Sequence, residues 1–123
     1  MRLNQVTLGV QFMKESVQFY KKLGFQQIVG TDTYARFMDS TGESSFSLEY
    51  NPESKPNETV IYFETKDLDD KVKFLQTQGI TFDQEPKDER WLWREARLKD
   101  PNGNILCLYW AGENRLNPPW RLK

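Results

Sequence analysis

The feature that most constrains the fold of this chain is an internal repeat. The segment VTLGVQFMKESVQFYKKLGF (6–25) aligns without a gap on IYFETKDLDDKVKFLQTQGI (61–80). Identical or similar residues coincide at positions that decide local structure, so both segments are expected to fold alike. The coinciding pairs are Val17 with Val72, Phe19 with Phe74, Gly24 with Gly79 and Phe25 with Ile80.

Each copy of the repeat predicts a strand followed by a helix. Apolar residues first alternate with polar ones, which is typical of a strand with one buried face. They then recur at helical spacing, which predicts an amphipathic helix. The alternating residues are Val6, Leu8 and Val10, then Ile61 and Phe63; the helical ones are Met13, Val17 and Tyr20, then Leu68, Val72 and Leu75.

The ends of both helices also carry local signals. Asp67 is a predicted N-cap for the second helix, with further acids in its first turn, where the helix dipole favours them. Gly24 and Gly79 stand where a left-handed residue would end each helix.

Three short strands are predicted after each helix. In the first copy they cover about 25–30, 33–39 and 44–50, and in the second about 80–84, 91–99 and 104–110. DPNG (100–103) has the residues of a type I turn between the last two strands. The order is therefore β-α-β-β-β, twice.

The predicted fold class is α+β, with two βαβββ modules in a single domain of 123 residues. The modules cover about 3–50 and 59–110. A polar connector that contains proline, 51–58, joins them, and a polar tail, 111–123, follows. One module alone would leave its sheet half uncovered, so two independent domains are not expected.

Composition excludes several classes of function. The formal net charge is -1 with acids and bases interspersed, so no basic stripe indicates nucleic acid as a partner. Apolar runs are strand-sized, and the N-terminal residues lack the apolar core of a secretory signal, so neither a membrane nor secretion is expected. One cysteine excludes an internal disulfide and fits a cytoplasmic location. The chain has no histidine, which excludes imidazole as base, acid or ligand.

A paired βαβββ repeat with SVQFYKKLGF (16–25) and DPNGNILCLY (100–109) resembles the vicinal oxygen chelate superfamily. This superfamily includes glyoxalase I, bleomycin-resistance proteins, extradiol dioxygenases and fosfomycin-resistance enzymes. The resemblance covers residues 3–110. It implies two curved sheets around a shared cleft, a homodimer, and metal ligands on the first, fourth, fifth and eighth strands, mostly histidine and glutamate.

The four ligand positions that the resemblance implies hold Gln5, Glu49, Val60 and Cys107. A divalent ion that prefers oxygen and nitrogen ligands finds one good ligand and one weak amide among them. A lone thiolate does not make a zinc site. We therefore expect no metal and no other cofactor, and interpret Cys107 as the mark of a lost metal site or simply a small buried apolar residue.

The alternation of the strands predicts that Gln5, Thr7, Glu49, Tyr62, Trp93, Arg97, Cys107 and Tyr109 line the cleft as ligand-binding residues. Aromatic walls with a few charges suit a planar organic ligand with polar substituents. Two structural alternatives stay open. The tryptophans could be packing or dimer-contact residues, and Arg97 could simply be the ion-pair partner of Glu49.

Three functions follow from these observations. The first is a metal-free protein that binds a small aromatic or amphipathic molecule, as the resemblance to bleomycin-resistance proteins implies. The second is a metal-dependent lyase, isomerase or dioxygenase with a degenerate site, in which the ion would act as a Lewis acid. The third is metal-free acid–base catalysis by Glu49 or Glu64. Fold alone does not separate them.

Overall fold

The computed structural model describes all residues, 1–123, in two compact units. The first unit comprises Met1–Asn57 with Asp100–Asn104, and the second comprises Glu58–Lys99 with Ile105–Lys123. Neither α-helix has the length and apolar character needed to cross a membrane.

Each unit is one βαβββ module with a four-stranded mixed sheet. The first and fourth strands of each module are parallel neighbours at one side of the sheet, and the remaining pairs are antiparallel. The sheet orders are β1-β4-β3-β2 and β5-β8-β7-β6. The elements of the first module are β1 (Gln5–Val10), α1 (Met13–Leu23), β2 (Gln26–Gly30), β3 (Tyr34–Met38) and β4 (Ser45–Tyr50). Those of the second are β5 (Val60–Glu64), α2 (Leu68–Thr77), β6 (Gln84–Asp88), β7 (Arg94–Lys99) and β8 (Ile105–Trp110), followed by a 3₁₀ turn over Gly112–Arg115.

In each unit the apolar face of the helix packs on one face of its own sheet. Tyr20 of α1 is fully buried and its ring meets those of Phe37 and Phe46, with centroids 6.0 and 5.0 Å apart. In the second unit Val72 and Leu75 of α2 are buried in the same way. Burial of these side chains supplies the main stabilisation, about 1.5–3 kcal/mol for each large one. The opposite face of each sheet is not covered by the helix of its own unit.

The helix ends confirm most of the sequence signals. Gly24 and Gly79 have φ values of 107° and 86°, a left-handed conformation that other residues adopt at a cost. Asp67 is the N-cap residue of α2, but its side chain makes no capping hydrogen bond there. The predicted turn after β7 is present, with the Gly103 amide donating to the Asp100 carbonyl at 2.9 Å.

Two predicted strand positions in the second module are wrong. The segment 80–84 is not a strand, because Ile80 is held by its amide to the Leu75 carbonyl at 3.0 Å and completes the end of α2. The strand that follows is Gln84–Asp88, an edge strand whose proline, Pro86, lies at an irregularity in the pairing with β7. β7 begins at Arg94 rather than 91, because Leu92 takes a left-handed φ of 68° and ends the extended chain.

Candidate functional site

The sheet face of the second unit that its helix leaves uncovered carries an aromatic cluster. Trp93 precedes β7, and its indole stacks on Tyr109 of β8, with centroids 4.6 Å apart and planes at 17°. Tyr62 of β5 meets both rings edge to face, at 5.7 Å from each. Tyr109 is buried, Trp93 is partly buried and Tyr62 is 44% exposed. The exposed edge of this cluster is therefore an open aromatic surface, the kind on which planar molecules stack.

The strand register puts charged residues on the same face. Tyr62 lies beside Cys107, Arg97 lies on the other side of Cys107, and Glu95 lies beside Tyr109. We call the residues of this surface the aromatic face. They are Tyr62, Trp93, Glu95, Arg97, Cys107 and Tyr109.

Glu95 fixes the positions of Arg97 and Trp91 through hydrogen bonds. It is 1% exposed, and both its oxygens are occupied: Nη2 of Arg97 donates to Oε1 at 3.0 Å, and Nε1 of Trp91 donates to Oε2 at 2.7 Å. A buried carboxylate that lacked such donors would be strongly unfavourable. Glu95 therefore holds a guanidinium and an indole in place and has no free oxygen for a ligand.

Arg97 is the charged group of the aromatic face that remains accessible. Its side chain is 32% exposed, against 2% for Glu95. Burial opposes its positive charge, but the Glu95 carboxylate and the Tyr62 hydroxyl accept from it, so the pKa of Arg97 is raised. Guanidinium groups bind carboxylate and other oxygen acceptors with directed N–H groups. The aromatic face thus presents a stacking surface next to a fixed donor.

Cys107 is a protonated, buried thiol. Its exposure is 0%, its thiol donates to the Leu108 carbonyl at 3.7 Å, and Val60 and Trp93 pack against the cluster that contains it. Burial, helped by the negative charge of Glu95 and opposed by Arg97, raises the pKa of Cys107 to about 12. A thiol in that state is not a nucleophile at neutral pH.

The sheet face of the first unit that faces away from α1 has a different character. Gln5 and Thr7 of β1, Ser47 and Glu49 of β4, and Tyr34 and Arg36 of β3 lie on one face by register. We call these six residues the polar face. Nε2 of Gln5 donates to Oγ of Ser47 at 2.8 Å, and its Oε1 accepts from Ser45. Glu49 is exposed and forms no salt bridge.

The predicted site residues thus lie on one face of each of the two sheets. Tyr62, Trp93, Arg97, Cys107 and Tyr109 lie together on the aromatic face, and Gln5, Thr7 and Glu49 lie on the polar face. The partner of Arg97 is Glu95, not Glu49.

Three residues that organise the two faces are not among the predicted ligand-binding residues. Glu95 anchors Arg97, while Tyr34 and Arg36 bond to one another on the polar face. The signal for the last two was available, because they alternate with the buried Ala35 and Phe37 in β3.

The donor set at the implied metal positions does not fit a metal ion. The Val60 side chain has no donor atom, Cys107 is a single, fully buried thiol, and both amide atoms of Gln5 are engaged with serine side chains. Glu49 alone offers a free carboxylate. No group of three or more potential ligands among the cysteine and acidic side chains lies close enough to hold an ion.

Comparison with known proteins gives a consistent result. The model of the glyoxalase/bleomycin resistance protein/dioxygenase superfamily matches residues 2–108. The uncharacterized protein YraH of Bacillus subtilis (strain 168) is 28% identical, over 89% of this chain and 98% of YraH. A glyoxalase/bleomycin resistance protein/dioxygenase from Nocardioides superposes with a TM-score of 0.79 at 21% identity, over 100% of this chain and 90% of that one. A bleomycin-binding protein solved in complex with bleomycin gives 0.72 at 18% identity, over 89% and 98%.

Proposed function

Because the chain belongs to the glyoxalase/bleomycin resistance protein/dioxygenase superfamily, we propose that it binds a small aromatic or amphipathic molecule without a metal ion. One observation carries the proposal: the Tyr62, Trp93 and Tyr109 rings form a stacking surface beside the guanidinium of Arg97. The fold that the chain shares with a bleomycin-binding protein supports it.

The chemistry of the aromatic face favours a planar ligand with an oxygen acceptor. The partly exposed Trp93 supplies area for stacking, and Arg97 supplies directed N–H donors at its edge. Glu95 has both oxygens engaged, so its negative charge is directed at Arg97 and Trp91 rather than at a ligand. A ligand with a carbonyl, carboxylate or similar acceptor on an aromatic ring would stack on Trp93 and accept hydrogen bonds from Arg97.

A metal-dependent reaction is not proposed, because the residues at the implied ligand positions do not fit an ion. Acid–base catalysis by Glu49 or Glu64 is not proposed either, since both carboxylates are exposed. The homodimer implied by the family belongs to this proposal, and light scattering coupled to size exclusion would test it by giving twice the mass of one chain.

A fluorescence screen of planar cationic, neutral and anionic compounds tests the proposal. Binding should quench tryptophan fluorescence, and a chelator should leave the quenching unchanged. Trp93→Ala should weaken binding by about 1–3 kcal/mol through lost stacking area, whereas Trp120→Ala, a change in the exposed tail, should not. If no compound binds, or if Trp93→Ala and Trp120→Ala behave alike, the proposal fails.

Charge variants identify the ligand class in the same screen. For an anionic ligand, Arg97→Met should cause the larger loss of affinity, while Arg90→Met, at an exposed arginine of the same unit, should cause little. For a cationic ligand, Glu64→Gln, at the exposed carboxylate beside Tyr109, should lower affinity and reduce its salt dependence. Glu64→Gln keeps the shape of the side chain and removes only its charge, so packing is held constant.

A further inference from the structure

Tyr34, on the polar face, lies in a hydrogen-bonded group that the binding proposal does not use. Its hydroxyl is 2.5 Å from Oγ of Ser47 and accepts from Nε of Arg36 at 3.0 Å. The Arg36 guanidinium carbon also lies 5.4 Å from the centre of the Tyr34 ring. One phenol is therefore in contact with a hydroxyl and a permanent cation.

The direction of these hydrogen bonds matters for the state of the phenol. Oγ of Ser47 accepts a hydrogen bond from Gln5 at 2.8 Å, and either Ser47 or Tyr34 can supply the proton of the bond between their hydroxyl groups. Nε of Arg36 can only donate. When Ser47 supplies the proton, two donors point at the phenolic oxygen, and this arrangement favours the phenolate over the phenol.

The charged neighbours of Tyr34 have opposite effects on its pKa. The hydrogen bond with Ser47 is the largest influence; desolvation opposes it, Arg36 adds to it, and the net result is a lowered pKa for Tyr34. Glu49, the cross-strand neighbour of Tyr34, acts the other way through its negative charge. The remaining neighbours on the polar face, Gln5 and Thr7, do not titrate.

We infer that Tyr34 is a nucleophilic site that takes small molecules carrying an activated acyl group. Its phenolic oxygen attacks the carbonyl carbon, the bond to the leaving group breaks, and the phenol proton leaves with that group. The result is an O-acyl tyrosine, and no oxidant or further reactant is needed. Of the Arg36 nitrogens only Nε is engaged, so the terminal N–H groups can hold the carbonyl oxygen as it becomes negative.

Comparison with the second sheet supports the nucleophilic role of Tyr34. The strand pairing is equivalent in the two sheets. Arg36 pairs with Ser47 in the first sheet, as Arg97 pairs with Cys107 in the second. Tyr34 therefore occupies the position that Glu95 occupies in the second sheet. In the second unit the arginine holds a buried carboxylate with no free oxygen. In the first unit the same position holds a phenol that is only partly buried. The equivalent position thus holds the reactive phenol of Tyr34 in the first unit and the structural carboxylate of Glu95 in the second.

Acetylation of the full-length protein by N-acetylimidazole tests the inference, since this reagent transfers an acetyl group to tyrosine and releases imidazole. Peptide mapping should show Tyr34 modified severalfold faster than Tyr50 or Tyr62, which are more exposed. Arg36→Met should reduce the rate at Tyr34 severalfold and leave the rate at Tyr50 unchanged. Ser47→Ala should have the same direction of effect.

A second measurement covers the case in which these variants disturb the fold. Difference titration of phenolate absorbance should lose its earliest step in Tyr34→Phe and keep that step in Tyr50→Phe. Modification of Tyr34 no faster than Tyr50, or an Arg36→Met rate equal to that of the unaltered protein, would overturn the inference. None of these readouts depends on the aromatic face, so they are independent of the proposed binding function.

Discussion

The hydroxyl of Tyr20 in α1 donates a hydrogen bond of 2.7 Å to Oδ2 of Asp100, which lies 80 residues later in the chain. The other oxygen of Asp100 accepts the backbone amides of Asn102 and Asn104, each at 2.9 Å. The two sequence motifs that carry the family resemblance, around Tyr20 and around Asp100, are therefore in direct contact within the first unit. Burial, together with the nearby carboxylate, raises the pKa of Tyr20, which keeps its proton for this bond.

Loss of the Tyr20 hydroxyl should destabilise the fold. Tyr20→Phe keeps the ring against Phe37 and Phe46 but removes a buried donor from Asp100, so the free energy of unfolding should fall by about 1.5–3 kcal/mol. Urea denaturation measures this change. Tyr50→Phe, at a tyrosine that is 43% exposed, is the matched control and should change stability little. Equal stabilities of the two variants would show that the bond contributes nothing.

The buried Glu95 should be necessary for the geometry of the aromatic face. Glu95→Ala leaves Arg97 without its ion-pair partner and frees the Trp91 indole, so unfolding should become easier by about 2–3 kcal/mol. This figure is below that for a wholly buried pair, because Arg97 keeps some contact with water. Tryptophan emission should also shift to the red. Glu64→Ala, at an exposed carboxylate of the same unit, is the control for both measurements. An unshifted spectrum in Glu95→Ala would contradict the assigned contact.

Local signals in the sequence were sufficient for most of the fold. Both helices and the strands of the first module follow from apolar spacing and from Gly24 and Gly79, since these features act over a few neighbouring residues. Edge strand β6 was misplaced because Pro86 and its charged neighbours show no apolar alternation. The start of β7 was misplaced because a left-handed leucine, Leu92, has no sequence signature.

The candidate site was predicted less completely than the fold. Alternation placed Trp93, Arg97 and Tyr109 on one surface, which the structure also shows. Pairing depends on which side chains meet in three dimensions, and periodicity does not contain that information. The sequence allowed a pair between Arg97 and Glu49. In the structure Arg97 instead pairs with Glu95, two residues away on the same strand.

The buried thiol should make the protein less stable in alkali. The pKa of Cys107 is raised from 9.0 to about 12 in the folded protein, mainly by burial. Above the lower value the unfolded chain loses the thiol proton while the folded chain keeps it, so stability falls as pH rises from 9.0 towards about 12. Thermal unfolding across this range should show a shallower decline for Cys107→Ala. The buried Tyr20 acts in the same direction in both proteins, so the difference between them isolates the thiol. Parallel pH profiles would contradict the assigned state of Cys107.

Metal ions should neither stabilise the protein nor be required for its binding function. The donor atoms are unsuitable: the Val60 side chain has none, Cys107 is a single, fully buried thiol, and Gln5 is hydrogen-bonded to Ser47 and Ser45. Ligands that bind only the folded state raise the unfolding temperature, so zinc, nickel, manganese and iron can each be tested directly. We expect no rise with any of them, no loss of stability with a chelator, and no stoichiometric metal by elemental analysis of freshly purified protein. A bound metal that disappears in Gln5→Ala or Glu49→Ala would establish the metal-dependent alternative, because these two residues occupy ligand positions and are not needed by the aromatic face.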